Sequence, residues 1–243
     1  VQTCALPISV AKKALGLEVT LANPSTKAVT GELLCEAVHE TTGKVECTFT
    51  RQPFTLEPAK EQLLKLTQAW ASPKLWWPVD PQMYRLRTTI SIAGKPVDVK
   101  ETSFGFREWT TEGIHMKLNG VKWQGYTEHG IPGDTPEEWA ANLKSPKYNY
   151  GFGRSWPQGR GHYQWLGKEP AEVLDYMDRQ GALITRSGIL DGQAIGYNPP
   201  VFVELGKNWI DHLKAWIKGE RNHPSITIWS VENELSFINA RNL

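Results

Sequence analysis

Arg221-Asn222-His223-Pro224-Ser225-Ile226-Thr227-Ile228-Trp229-Ser230-Val231-Glu232-Asn233-Glu234 opens on a turn, runs through an apolar strand and ends on an Asn-Glu pair. The β-branched run after the proline predicts a strand from Ser225 to Val231. A carboxyl group delivered at the end of such a strand and partly desolvated has a raised pKa, which suits a general acid. On an α/β barrel the C-terminal strand ends form the active-site face, so the fold of the preceding residues decides what Glu234 is for.

Working upstream, Val203 to Lys218 predicts a helix with Leu205, Trp209, Ile210, Leu213, Trp216 and Ile217 along one side. Ala182-Leu183-Ile184-Thr185 predicts a strand. Pro170 to Gln180 predicts a helix, with Val173, Leu174 and Met177 at helical spacing and Gly181 as its stop. A strand is expected near Asn149 to Arg154. Before it, Thr135-Pro136-Glu137-Glu138 has a capping Thr, a Pro at the first helical position and a Glu at the third. Val121-Lys122-Trp123-Gln124-Gly125-Tyr126 predicts the first strand of this half. Strands alternating with helices imply a parallel α/β sheet, either doubly wound or a (β/α)8 barrel. No glycine-rich phosphate loop follows the first strand, which argues against a nucleotide-binding sheet.

The first half has a different grammar. Leu17 to Leu21, Leu33 to Val38, Val45 to Phe49, Gln62 to Leu66 and Tyr84 to Ile92 alternate apolar and polar residues between turn signals. About a hundred residues of this kind predict an immunoglobulin-like β-sandwich. Cys35 and Cys47 flank the turn-like Glu40-Thr41-Thr42-Gly43. A hairpin centred near Thr41 sets them opposite each other, compatible with a disulfide or with two small core residues. Val1-Gln2-Thr3-Cys4-Ala5-Leu6-Pro7-Ile8 reads as the translation of a sequencing-adapter oligonucleotide, so residues 1–8 are set aside as a scar and Cys4 with them. Location stays open on that account, with periplasmic or secreted preferred.

Among the 243 residues, Lys+Arg 27 nearly balances Asp+Glu 26, without the basic excess of a nucleic-acid binder. No apolar run reaches the ~20 residues that span a bilayer. Cysteine spacing and nearby histidines do not suggest zinc. The 11 tryptophans offer flat apolar faces with one N–H donor each, a feature of sugar clefts as well as of cores.

The terminal segment resembles the acid/base strand of glycoside hydrolase family 2, the group that includes β-galactosidases, β-glucuronidases and β-mannosidases. Three other stretches resemble that family in the same order. They are Leu75-Trp76-Trp77-Pro78 with Met83-Tyr84-Arg85-Leu86, then Ser103-Phe104-Gly105-Phe106-Arg107, then Leu118-Asn119-Gly120-Val121-Lys122. The resemblance implies a multidomain chain: an immunoglobulin-like β-sandwich over 9–107, then the N-terminal half of an α/β TIM (β/α)8 barrel over 108–243. It implies a retaining glycosidase of β-linked sugars with a carbohydrate substrate. Some members bind magnesium, which is not carried over, so no cofactor or metal is expected. Charge and apolar-run length leave no nucleic-acid or membrane partner expected. Glu234 is matched to the acid/base, and Asn233 to the Asn beside the scissile bond. His129 is matched to a His that lines the sugar site, and Arg154 to the Arg that steadies the nucleophile carboxylate. Trp156 is a candidate wall of the site, with Trp165 a weaker one. The nucleophile belongs to a later strand beyond Leu243, so these residues alone are expected to be inactive.

The departures are Glu232 where Gly is common, Thr127-Glu128 before His129, extra spacing before Arg154 with Gly151 and Gly153, and Arg186-Ser187-Gly188-Ile189 in place of an acidic stretch. Asp191 alone does not make a metal site. Apart from the resemblance, Glu234 and Arg154 read as ion-paired strand-end residues, and His129 as a hydrogen-bonded structural one. His223 reads as structural, and Trp76 and Trp77 as domain-interface packing. Two other readings remain: a catalytically dead carbohydrate-binding relative, and another clan-related barrel enzyme of the endo-glucanase or mannanase type. Oligomeric state is not legible.

Overall fold

The structure is a computed structural model and describes residues 2–4, 8–125, 127–128, 133, 135–155, 170–187 and 202–230. The chain divides into two compact units, Val1–Trp123 with Asn222–Pro224, and Gln124–Arg221 with Ser225–Leu243.

The first unit begins with β1 (Gln2–Cys4), β2 (Ile8–Ser9), β3 (Ala14–Ala22), β4 (Val29–His39), β5 (Val45–Thr48), β6 (Gln52–Leu56), β7 (Glu61–Ala69), β8 (Met83–Ile92) and β9 (Lys95–Gly105). In one antiparallel sheet β3 pairs with β7 on one edge and with β1 and β2 on the other. In the second, β4 pairs with β8 on one edge and with β5 and β6 on the other, and β9 extends the sheet beyond β8. Alternation builds the core. Leu15, Leu17, Val19 and Leu21 of β3 and Leu33, Cys35 and Ala37 of β4 are buried in one cluster with Tyr84, Leu86, Phe104 and Phe106. Trp70 packs edge-on against both Tyr84 and Phe106, with ring centroids 4.9 and 5.3 Å apart. Gln2–Cys4, within the octapeptide set aside above, pairs with Thr20–Glu18 of β3.

Cys35 and Cys47 are both buried and both free thiols. A register irregularity at Ala37/Val38 sets Cys47 opposite Ala37, while Cys35 accepts a bond from Phe49 N at 2.9 Å. The expected Cys35–Cys47 juxtaposition requires a hairpin centred on Thr41; the observed pairing is centred nearer Thr42, so Cys47 faces Ala37 instead.

A three-stranded antiparallel sheet follows in the same unit: β10 (Trp109–Glu112), β11 (His115–Leu118) and β12 (Val121–Trp123). Asn119 and Gly120 turn the β11–β12 hairpin with φ of 51° and 82°. That double left-handed turn matches strand twist and favours Asn-Gly. The expected strand from Val121 to Tyr126 is therefore not one element. Val121–Trp123 closes this hairpin, and the parallel sheet starts later.

In the second unit β13 (Thr127–Glu128), β14 (Phe152–Ser155), β15 (Leu183–Ser187) and β16 (Ile226–Ser230) form a parallel sheet in chain order. The crossovers carry α1 (Pro136–Lys144), α2 (Pro170–Gln180) and α3 (Phe202–Glu220). Thr135 caps α1: its side chain accepts from Glu138 N at 3.1 Å, with Pro136 at the start of the helix. Gly181, at φ +69°, follows α2. Trp139, Ala140 and Leu143 of α1 and Val173, Leu174 and Met177 of α2 bury one face of the sheet through Ile184 and Ile226. Arg186, two residues beyond Ile184 and so on the same face, contacts Glu220 and Trp216 of α3. All three helices thus cover one face of the sheet.

Candidate active site

Parallel pairing brings the C-terminal ends of four strands together. Glu128 is in register with Gly153, and Arg154 with Thr185 and through it Ile228. Ser155 is aligned with Arg186 and Trp229, and Ser187 with Ser230. The candidate residues follow these ends in sequence. His129 succeeds Glu128, Trp156 succeeds Ser155, and Asn233 and Glu234 come three and four residues after Ser230. His129, Trp156, Asn233 and Glu234 lie outside the described residues, as do Trp165, Asp191 and Glu232. Arg154 is the third residue of β14, and only its backbone is described.

Of the two glycines before Arg154, Gly153 has a packing cause. Gly153 lies under the Trp139 indole: a Cβ there would sit 2.5 Å from Cη2 and nearer still to Cζ2. Asn149 and Tyr150 both take left-handed φ, 44° and 55°, so the chain turns tightly before β14 rather than extending from Asn149.

Two contacts not visible in local sequence fix β15 and β16. Asp178 of α2, 1% exposed, accepts from Ser225 N at 3.0 Å, anchoring the start of β16. Arg186, 2% exposed, donates through Nε to Glu220 Oε2 at 2.8 Å and through Nη2 to Oε1 at 2.6 Å. Its guanidinium lies 5.3 Å from the Trp216 ring centroid, and Trp216 meets Trp229 of β16 edge-on at 5.0 Å. β16 itself is irregular: Ile226 pairs with Ile184 but Ile228 with Thr185, so Thr227 is the extra residue, and its Oγ1 donates to Ile184 O at 3.1 Å. The one available signal was alternation. Arg186 shares a face with Ile184, and a buried arginine requires a partner.

Residues 6–107 match the family described as glycosyl hydrolases family 2. A protein of Formosa agariphila named "Putative beta-glucuronidase" is 30% identical over 205 residues, 79% of this chain and 18% of its own length. The chain belongs to glycoside hydrolase family 2. A beta-galactosidase of Halalkalibacterium halodurans is 26% identical over 181 residues, 67% of this chain and 17% of its own. The chain therefore spans less than a fifth of either curated relative. The beta-glucuronidase of Bacteroides uniformis shares the fold with a TM-score of 0.74 and 20% identity, over 99% of this chain and 28% of that one. A family 2 beta-galacturonidase from Eisenbergiella tayi does so with a TM-score of 0.70 and 23% identity, over 93% and 39%.

The stretches that resembled family 2 meet inside the first unit. Trp76, fully buried, donates its backbone N–H to Phe106 O at 2.9 Å and accepts at its carbonyl from Asn119 Nδ2 at 3.0 Å. Asn119 Oδ1 accepts from Glu108 N at 2.9 Å. Arg107 donates through Nε to Pro224 O at 2.8 Å and through Nη2 to His223 O at 3.3 Å. A Cβ on Gly105 would sit 2.8 Å from both Trp76 and Pro224.

Proposed function

We propose that the full-length protein is a retaining β-glycosidase and that β13–β16 with α1–α3 are the N-terminal half of a (β/α)8 barrel. The supporting observation is the parallel sheet whose C-terminal ends stand in register just before His129, Trp156, Asn233 and Glu234. Strand order that follows the chain, with all helices on one face, favours a barrel over a doubly wound sheet, which has helices on both. The proposed division keeps a scar at 1–8 and a sandwich at 9–107; the half barrel expected over 108–243 starts at Gln124, since β10–β12 belong to the first unit.

In this reading Glu234 protonates the glycosidic oxygen as the bond to the anomeric carbon breaks. A second carboxylate from a later strand, about 5–5.5 Å away, takes that carbon as a covalent glycosyl-enzyme ester. Glu234 then deprotonates the water that hydrolyses the ester. Asn233 hydrogen-bonds the sugar beside the scissile bond, Arg154 steadies the nucleophile, and His129 and Trp156 line the sugar site. Glu234 supplies one of the two carboxylates, so residues 1–243 alone are expected to be inactive. The named activities of the relatives share a β-linked sugar as substrate, and that is the substrate class proposed here.

The test is Glu234→Gln in the full-length protein, which removes the proton donor and keeps its shape. General acid catalysis contributes roughly 10²–10⁴-fold, so alkyl β-glycosides should lose about that much. Aryl glycosides with activated leaving groups should lose far less in the first step. Near-parental rates on both would refute the assignment.

A further inference from the structure

We propose that Arg186 is a positioning residue for the acid/base glutamate, holding the end of β16 through α3. The proposal rests on the reading of Glu234 given above. Arg186 is the fourth residue of β15, and its Cα partner Trp229 is the fourth of β16, five residues before Glu234. The side chain does not point along that ladder. It forks onto Glu220, the last residue of α3, and lies against Trp216 one turn earlier. Trp216 in turn rests edge-on against Trp229. Strand, helix and neighbouring strand are thereby closed into a ring of contacts: Arg186 to Glu220 and Trp216, Trp216 to Trp229, and Trp229 back to Arg186 through the ladder.

Stability alone does not account for this arrangement. A buried ion pair is often replaceable by apolar residues without loss, because desolvation offsets much of the attraction. What apolar residues do not reproduce is direction. The planar guanidinium accepts one orientation of the Glu220 carboxylate and one of the Trp216 ring, so it fixes the rotation and height of α3 against β15. Trp229 inherits that setting. The strand carrying Trp229 is also the one interrupted at Thr227, so Ile228, Trp229 and Ser230 follow a register offset by one residue from that of Ile226, and the Trp216 contact falls on this offset segment. A reacting group must be held within about 0.5 Å of its productive position, and a 1 Å displacement from a distant change costs on the order of 100-fold.

The experiment uses the full-length enzyme and the double variant Arg186→Met/Glu220→Leu, with Arg186→Lys, Glu220→Gln and Glu234→Gln in parallel. Each is assayed for kcat/KM on the 4-nitrophenyl and methyl β-glycosides of the sugar that the parent turns over fastest, from a panel of glucuronide, galactoside, mannoside and glucosaminide. The thermal midpoint is measured beside it. The double variant is expected to melt close to the parent yet lose about 100-fold on the methyl glycoside, whose departure needs the acid. On the 4-nitrophenyl glycoside it should lose only a few-fold, with KM unchanged. Arg186→Lys keeps the charge but not the fork and should show the same split. Glu220→Gln, which alters charge without volume, should show it at smaller amplitude. Parental rates in the double variant, or equal losses on both substrates, overturn the proposal. If Glu234→Gln lacks the split, or the parent cleaves nothing in the panel, the underlying assignment of Glu234 fails and this one with it. If Glu234→Gln shows the split and the Arg186 variants do not, only the role of Arg186 is refuted.

Discussion

Gly153→Ala adds a single methyl group where Trp139 leaves no room for it. The new carbon would lie 2.5 Å from Cη2 and 3.2 Å from Cε2, against an optimal carbon–carbon separation of about 3.5–4.0 Å. The overlap is therefore about 1 Å. Trp139 is fully buried among Ala140, Leu143, Val173 and Ile184, so the indole has no free direction to swing, and either it or β14 must shift. Forced overpacking of this kind costs about 1–3 kcal/mol, and the absence of an escape direction puts the expectation near 3 kcal/mol. That corresponds to a fall of roughly 6–12 °C in Tm for a chain of this size. Backbone conformation does not contribute, since Gly153 is outside the left-handed region. In open space the same substitution would stabilise by about 0.4–1 kcal/mol through the unfolded state. The sign is thus diagnostic. Urea unfolding followed by far-UV circular dichroism, on the parent and on a Trp139→Leu background, measures it. Gly153→Ala should cost about 3 kcal/mol in the first and be neutral or stabilising in the second, a coupling at the upper end of those between touching residues. An equal cost in both backgrounds would falsify the packing argument, because the penalty would then not come from the indole.

Thr135→Ala should cost about 1 kcal/mol by leaving Glu138 N without its cap, while Thr135→Ser should cost little; amide exchange in the first turn of α1 locates the effect. Burial pushes the Cys35 and Cys47 thiols up to about 11 from 9.0. In a Cys4→Ser background neither should alkylate at pH 8 until the protein unfolds, and rapid labelling of two thiols in the native state would contradict this. The folded state holds these protons more tightly, so the stability contribution is complete below pH 9 and is lost as pH rises from 9 through 11. A stability profile that climbs across that window would reverse the sign.

Where one physical signal dominated, the sequence was readable. Leu15 to Leu21 alternates because β3 buries one side against a second sheet, and Thr135 to Glu138 states its own capping bond. β9 was invisible: most of Lys95–Gly105 is exposed, with Pro96 in second place and little alternation to detect. β6 begins Gln52-Pro53, a proline that suits its pairing with β4 alone but masks the strand in a reading by propensity. The β11–β12 hairpin carries the strong Asn119-Gly120 turn signal, which the family resemblance overrides by placing that stretch in the barrel half. Of the candidate site, the strands before Trp156 and before Asn233-Glu234 were legible from apolar runs and stops, but β13 before His129 was not, because the apolar run at Val121–Trp123 closes the preceding hairpin. The Arg186–Glu220 pair was not, because its partners stand 34 positions apart and nothing local links them.

The family stretches and the chemistry also separate in a physically sensible way. Trp76, Arg107, Asn119 and the His223-Pro224 turn are joined through main-chain groups, and Gly105 lies against the side chains of Trp76 and Pro224. Each is demanding for a reason unrelated to substrate. Gly105 has an indole against its α-carbon, Asn119 combines a left-handed turn with two side-chain hydrogen bonds, and Arg107 must reach two carbonyls at once. Substitution at any of them leaves a buried polar group without its partner or drives a ring into the backbone, whatever sugar is cleaved elsewhere. These demands are independent of the sugar, and the relatives carry names for glucuronide, galactoside and glucosaminide activities. Recognition of the family then carries the fold and the position of Glu234 after β16, and carries no preference among sugars. Under the proposed function, sugar preference belongs to residues that follow the strand ends in sequence, such as His129 and Trp156.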